Sequence, residues 1–400
     1  MTTWFRNQLA VTVASFIGFM GFTLVMPFLP LYFRELGLRD TGEIALWTGF
    51  SMGVTPALTA VLAPAWGRLA DRFGRKIMVE RSLASFVIVM GAMAFVTEPW
   101  HVFALRAVQG LFAGYGALTL TMAAESAPPH RMADAIGYVH TAQRLGPALG
   151  PIIGGSLAAV AGLRNTFLVA SAFYLFAVVL VFFLYKEAPA AADGEAFDSA
   201  QARRVTFRDM LSFENFIILM LVVFGLQFID RSFGPILPLY LDHAGVPAGR
   251  ISIVAGLIFS VAAGSGAIGN YIAGRLLVAR HARPILAGSA AASMLASVLF
   301  AVEPPVWAML LAAAVFGLGI GIAMTTAYAE AGKMIPAGSH GAGFGLLTTA
   351  SLTGLALSPV FGGLIGATSM NAVFIANAVG LAALAIIVLK NMRAPGIGNR

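Results

Sequence analysis

The chain of 400 residues contains no cysteine. That absence excludes a disulfide framework, a thiol nucleophile and a thiolate metal site. Charge is also scarce, at 11% of residues against about 25% in a soluble domain. The six histidines (His101, His130, His140, His243, His281 and His340) are scattered. No two of them stand at metal-ligand spacing, so neither a metal site nor a cofactor is expected. What the chain has instead is apolar surface. Fifty-nine per cent of residues are hydrophobic, and the mean hydropathy is +0.85. A bilayer is therefore the expected surrounding of most of it. The first apolar run, about residues 9–33, is too long for a cleaved secretory signal.

A membrane-crossing helix needs about 20 mostly apolar residues. Twelve such runs can be read: 8–33, 44–66, 77–97, 101–124, 135–159, 164–185, 214–241, 251–274, 284–302, 305–329, 341–367 and 371–390. They predict an all-α membrane protein with twelve transmembrane helices. The expected domains are a six-helix bundle over residues 1–185, a polar linker over 186–212 and a second six-helix bundle over 213–400. With both termini in the cytoplasm, 18 of the 25 lysines and arginines fall in inner segments and four in outer loops. That bias follows the positive-inside rule and explains the net charge of +7 without nucleic acid. The other three, Arg106, Arg144 and Arg231, lie inside spans.

The two halves repeat. "GPALGPIIGG" (146–155) returns as "GLALSPVFGG" (354–363), and "MPFLPLYF" (26–33) as "GPILPLYL" (234–241), both at an offset of 208 residues. "GRLADRFGRK" has a weaker echo in "GRLLVARHAR" at an offset of 207. An even number of spans per half gives both halves the same orientation, the parallel-repeat plan of transporters. Gly146, Gly150 and Gly154 share one helix face, with Gly155 beside it, and Gly362 repeats the pattern. Small residues at this spacing let helix backbones approach. Pro147, Pro151 and Pro359 each remove a backbone donor. The phrase is read as a bent seam where the halves meet, against the alternative of static packing.

Ionised groups inside a membrane are costly and are usually functional. Asp230 is the expected titratable coupling site, tuned by Arg231, Arg144 and Arg106. The alternative for Asp230 and Arg231 is that they satisfy each other, and for Arg106 that it snorkels to the headgroups. Glu125 and Glu330 sit at inner ends of spans, as latch residues first and proton carriers second. Phe16, Phe19, Tyr115, Gln143, Phe224, Gln227, Phe228, Met324, Thr325 and Tyr328 are expected to line an apolar substrate cavity. Such a lining suits bulky amphipathic molecules better than sugars. "GFSMG" (49–53) fits a nucleophile elbow and "GSGAIG" (264–269) a dinucleotide loop, but both lie inside spans and read as packing glycines.

These segments also carry a resemblance. "GRLADRFGRKIMV" (67–79) closely resembles the loop signature of the major facilitator superfamily, and "LRAVQGLFAGYGA" (105–117) its fourth-helix motif. "GPALGPIIGG" resembles the fifth-helix motif of its twelve-helix, proton-coupled drug antiporters. The resemblance implies two pseudo-symmetric bundles and export of hydrophobic small molecules by alternating access, driven by protons. It implies a cytoplasmic latch in which Gly67 allows close approach of spans two and eleven. In that latch Asp71 faces a helix N-terminus, Arg72 flanks it and Arg75 pairs with Glu125. A monomer in a bacterial inner membrane is expected, with protons, lipid and a hydrophobic solute as partners. A specific exporter of a metabolite, siderophore, sugar or lipid is the alternative. The sequence departs from the family in having no acid in span one and Val278 where the second loop would repeat Asp71.

Overall fold

The computed structural model describes residues 3–186, 215–279, 281–335 and 340–392; the side chains of Pro64, Asp71, Pro129, Ala133, Ala279 and residues 340–342 lie outside that description. Apart from Lys186, the expected linker lies outside it too. Among the described residues the regular elements are helices. In the first half they are α1 (Thr3–Leu24), α2 (Leu29–Glu35), α3 (Thr41–Phe73), α4 (Arg75–Met93), α5 (Pro99–Phe112), α6 (Tyr115–Ser126), α7 (Met132–Ala161) and α8 (Leu163–Leu184). In the second half they are α9 (Phe216–Ser232), α10 (Leu237–His243), α11 (Ile251–Ala279), α12 (Ala282–Ala301), α13 (Val306–Met334), α14 (His340–Thr368) and α15 (Met370–Asn391). Helix is the form in which a chain satisfies its own backbone polar groups inside lipid.

Ten of the described helical segments are long and apolar enough to cross a membrane, and α9 with α10 makes an eleventh, bent by 46°. The remaining expected span, 77–97, is the 19-residue α4. Its first turns carry Lys76, Glu80 and Arg81, which lower its apolar character. Lys76 Nζ reaches back to the carbonyls of Phe182 (2.9 Å) and Tyr185 (2.8 Å), satisfying the C-terminal end of α8. Three spans expected as continuous are interrupted. Span one breaks between α1 and α2, where Pro30 opens the second piece. Span seven breaks between α9 and α10, where Pro238 does the same. Span four breaks at Gly114, whose φ of +116° is open to glycine at little steric cost.

Contacts group the helices into two compact units. One comprises Met1–Ala192 with Gly234–Ser260, the other Asp193–Phe233 with Val261–Arg400. Thus α10 and the first turns of α11 pack with the first unit, although the sequence places them in the second half. The reasons are local. Arg34 Nη1 pairs with Asp242 Oδ2 at 2.9 Å. The Ser260 hydroxyl accepts from the Ile152 amide at 3.0 Å. A Cβ at Gly256 would collide with the Pro151 carbonyl, and one at Gly155 with that of Ser252. Both partners of the Arg34–Asp242 pair are 37% exposed, so Asp242→Ala is expected to cost at most about 1 kcal/mol. High salt should erase the difference, as a melting curve in detergent would read.

The repeated glycine phrase packs each half on itself. Gly146 and Gly150 lie under the backbone of α1, where an added Cβ would come within 2.7 Å of Met20 N and 2.6 Å of Met20 O. Gly354 lies the same way under Phe224 O on α9, at 2.5 Å. Gly154 and Gly362 press closer still, on the carbonyls of Leu24 and Ser232. Gly146, Gly150 and Gly154 are therefore the seam of α7 on α1, and Gly354 and Gly362 that of α14 on α9. Neighbouring Pro151 and Gly155 make the contacts to α11. Helices α7 and α14 run on through their prolines.

Candidate functional site

The first unit encloses a guanidinium. Arg106, on α5, is 2% exposed, and Gln109, one turn on, is 1% exposed. Arg106 Nη1 donates to Gln109 Oε1 at 3.0 Å, whereas its Nε has no hydrogen-bond partner. Thr55 on α3 donates to the Arg106 carbonyl at 2.8 Å. Among the described residues no carboxylate stands within ion-pair distance of it. Such burial rules out snorkelling to the headgroups. Tyr174 of α8 is fully buried and donates to the Gly18 carbonyl at 3.3 Å. Phe86 stands edge-on to both Tyr174 (5.3 Å) and Tyr115 (5.7 Å). Phe19 meets Tyr115 at 5.7 Å, so this predicted cavity pair sits with the same buried cluster. Phe16, one turn earlier on α1, is half-buried.

A buried charge with one neutral partner is electrostatically expensive, and apolar replacement of such groups is often neutral or stabilising. Arg106→Met is therefore expected to melt at or above the wild-type temperature while losing transport. A fall in stability of more than about 2 kcal/mol would make Arg106 a structural residue instead.

On α7, Gln143 Nε2 donates to the Gly116 carbonyl (2.9 Å) and to Thr119 Oγ1 (3.3 Å), binding α7 to α6. Arg144 beside it is exposed. At the α3–α4 corner, Gly74 (φ +93°) turns the chain, and Arg75 forms an ion pair with Glu125 at the end of α6. Arg72 lies over the Phe73 ring at 5.3 Å. The side chain of Asp71 is outside the described residues. A Cβ at Gly67 would meet no described atom within 4 Å.

The second unit holds the other intramembrane ions. Arg231 Nε pairs with Asp230 Oδ2 at 3.0 Å, with side-chain exposures of 29% and 26%. Adjacent helix residues point about 100° apart and rarely share a third partner; these two turn toward each other. Gln227, one turn before Asp230, packs beside Gly354. On α13, Glu330 is 9% exposed and accepts from Lys333 Nζ at 2.9 Å. Thr325 Oγ1 donates to Asn270 Oδ1 at 2.9 Å, and Tyr328 stacks on Phe344 at 6.5 Å. Met324 is half-buried on the same helix. Phe224 stacks on Phe228 (5.8 Å), and Phe228 meets Phe361 edge-on (5.4 Å).

Sequence reasoning missed Tyr174, Thr55, Phe361 and the pair Ser232–Asn377. For Tyr174 and Asn377 a signal existed: each is an isolated polar group in the middle of an apolar helix.

Comparison with known proteins completes the picture. A family model described as the Major Facilitator Superfamily matches residues 11–302. The chain is 32% identical over 274 residues to a "Multi-drug resistance efflux pump PmrA homolog" of Lactococcus lactis, covering 68% of this chain and 66% of that protein. It is 32% identical over 260 residues to the "Multidrug resistance protein MdtG" of Proteus mirabilis, covering 65% of this chain and 64% of that one. The matches thus span just under two thirds of these relatives' length. Among solved structures, a bacterial homolog of the human lysosomal transporter Spinster superposes with a TM-score of 0.79 at 15% identity, over 99% of this chain and 100% of that one. A D-xylose–proton symporter gives 0.74 at 15% identity, over 98% of each. Identities this low show the fold alone.

Proposed function

Because this chain belongs to the Major Facilitator Superfamily, we propose that it is a proton-coupled exporter of hydrophobic and amphipathic small molecules. It works by alternating access of two bundles, residues 1–185 and 213–400, joined by the 186–212 linker. It acts as a monomer in a bacterial inner membrane with both termini in the cytoplasm. The observation that carries the export reading is the 32% identity to proteins named for multidrug efflux.

The coupling step rests on Asp230. Ionised, its carboxylate is held by Arg231 at 3.0 Å. Protonation removes the negative charge and with it most of the attraction, so the guanidinium is freed to take another acceptor. A proton entering from outside would therefore change the local charge pattern at the bent joint of α9 and α10. Substrate and proton then alternate at the site rather than occupy it together. One proton crossing 100 mV releases about 2.3 kcal/mol, enough for roughly fifty-fold accumulation of a neutral solute. Arg106 and Gln109 supply a fixed positive site in the first bundle, and Arg75 with Glu125 forms part of the cytoplasmic latch.

Expression in cells stripped of their own exporters tests the reading. Tolerance of several lipophilic cationic dyes should rise severalfold. If no toxic compound is better tolerated, the drug-pump assignment falls, and a specific exporter becomes the reading to pursue.

A further inference from the structure

Helices α9, α14 and α15 line a half-open cavity of about 190 Å³ within the second unit. Its walls include Phe224, Phe228, Phe361 and Leu384, with Ser232 and Asn377 as polar members. Apolar cavities of about 150 Å³ bind a benzene ring in place of water, so this one has room for a ring or a short alkyl chain.

Its polar wall is incomplete. The Ser232 hydroxyl lies 3.0 Å from the Ile229 carbonyl and 2.8 Å from Asn377 Oδ1. Asn377 is 4% exposed, and the end of its amide turned away from Ser232 has no hydrogen-bond partner. A buried amide group left unpaired is costly, and in hydrocarbon no water relieves it.

The cavity is also separate from the ionic site. Asp230 follows Leu221, a wall residue, by nine residues, which at 100° per residue is half a turn around α9. Asp230 therefore lies on the opposite face. Leu221 and Phe361, on the cavity's wall, are 42% and 44% exposed, so the mouth is apolar. Depth selects the occupant. Asn371 donates to Glu303 at 2.9 Å at the exposed start of α15, and Asn377 lies six residues deeper, about 9 Å along the helix. Phospholipid ester groups stay in the interfacial layer. A free amphiphile brings its polar group with it.

The geometry points to a binding site for a free amphiphile with one hydroxyl, such as a medium-chain alcohol or alkyl phenol. Its apolar body lies among Phe224, Phe228 and Phe361, and its hydroxyl, able to donate or accept, pairs with the open end of the Asn377 amide. The assignment concerns binding and stands whether or not the solute is transported.

Photolabelling of the purified full chain in nanodiscs with a diazirine-bearing octanol tests it. Label should concentrate on the facing parts of α9, α14 and α15. At equal membrane mole fraction 1-octanol should compete about two- to tenfold better than octane, the range one hydrogen bond supplies. Asn377→Leu, which keeps the branching and the number of heavy atoms but removes the amide, should retain the label and abolish that preference. Ala376→Trp, at the mouth, should remove the label, with melting curves confirming that both variants fold. Exchange of ester for ether phospholipids should change nothing. Label spread evenly over the lipid-facing helices, or octane competing as well as octanol in the wild type, would overturn the site; neither result depends on a variant. A rise in labelling with ether lipids would give the cavity to phospholipid and overturn the free-amphiphile assignment.

Discussion

Gly362→Leu, and likewise its counterpart Gly154→Leu, is expected to leave almost no folded protein in the membrane. The backbones of α14 and α9 meet at Gly362, where even one added carbon would overlap the Ser232 carbonyl. The neighbouring turns are as close, with Ser358 donating to the Phe228 carbonyl and Gly354 under Phe224 O. The three atoms nearest an added Cβ at Gly362 are all backbone atoms of Ser232, so leucine must drive the helices apart. Overpacking by extra methylenes costs about 1–3 kcal/mol where side chains can adjust. Here backbone must move, and the loss of small-residue contact removes much of what holds helices together in lipid. The expected cost exceeds about 3 kcal/mol, a large part of a typical total stability. Gly67→Leu is the control, since a Cβ there would meet no described atom within 4 Å. The fraction recovered as a single species by size exclusion reads the outcome. Wild-type recovery of Gly362→Leu would show that the seam is not a packing requirement.

Asp230→Asn is expected to abolish uphill export while leaving the fold intact. Asparagine keeps the shape, so packing is nearly preserved. What it loses is the ionisable oxygen that Arg231 holds at 3.0 Å. Asp230 is 26% exposed, so its carboxylate is not sealed inside the protein, as a proton site requires. Loss of one coupled proton removes about 2.3 kcal/mol per 100 mV, so a roughly fifty-fold accumulation should fall toward one. Downhill flux should persist. Glu330→Gln should leave coupling in place, because Glu330 is engaged by Lys333 on the same helix. Unchanged uphill transport in Asp230→Asn would move the coupling site elsewhere.

Hydrophobic run length made most spans legible in the sequence, because twenty apolar residues have few other uses. Breaks were less legible. Hydropathy is blind to dihedral angles, and the interruption at Gly114 is a matter of φ. The 208-residue repeat announced close helix contacts, and the structure has them, yet spacing cannot say which helix lies opposite. The seam was read as lying between halves; most of its glycines join helices within each half, while Pro151 and Gly155 meet α11 of the second half. Arg106, Asp230 and Arg231 stood out because ions are rare in apolar runs. Tyr174 and Asn377 did not, since an isolated neutral polar group changes mean hydropathy little. Phe361 comes to Phe228 from another helix altogether, and only tertiary structure brings the two rings together. The Arg75–Glu125 pair spans 50 residues of chain and was legible only through resemblance to a family.

The most direct measurement is uptake of a lipophilic cationic dye by proteoliposomes containing the purified chain, with and without an imposed pH gradient. The account predicts dye movement against its own gradient only while protons flow the other way, and collapse of that movement when an ionophore dissipates the gradient. Equal dye movement in the presence and absence of the gradient would contradict it.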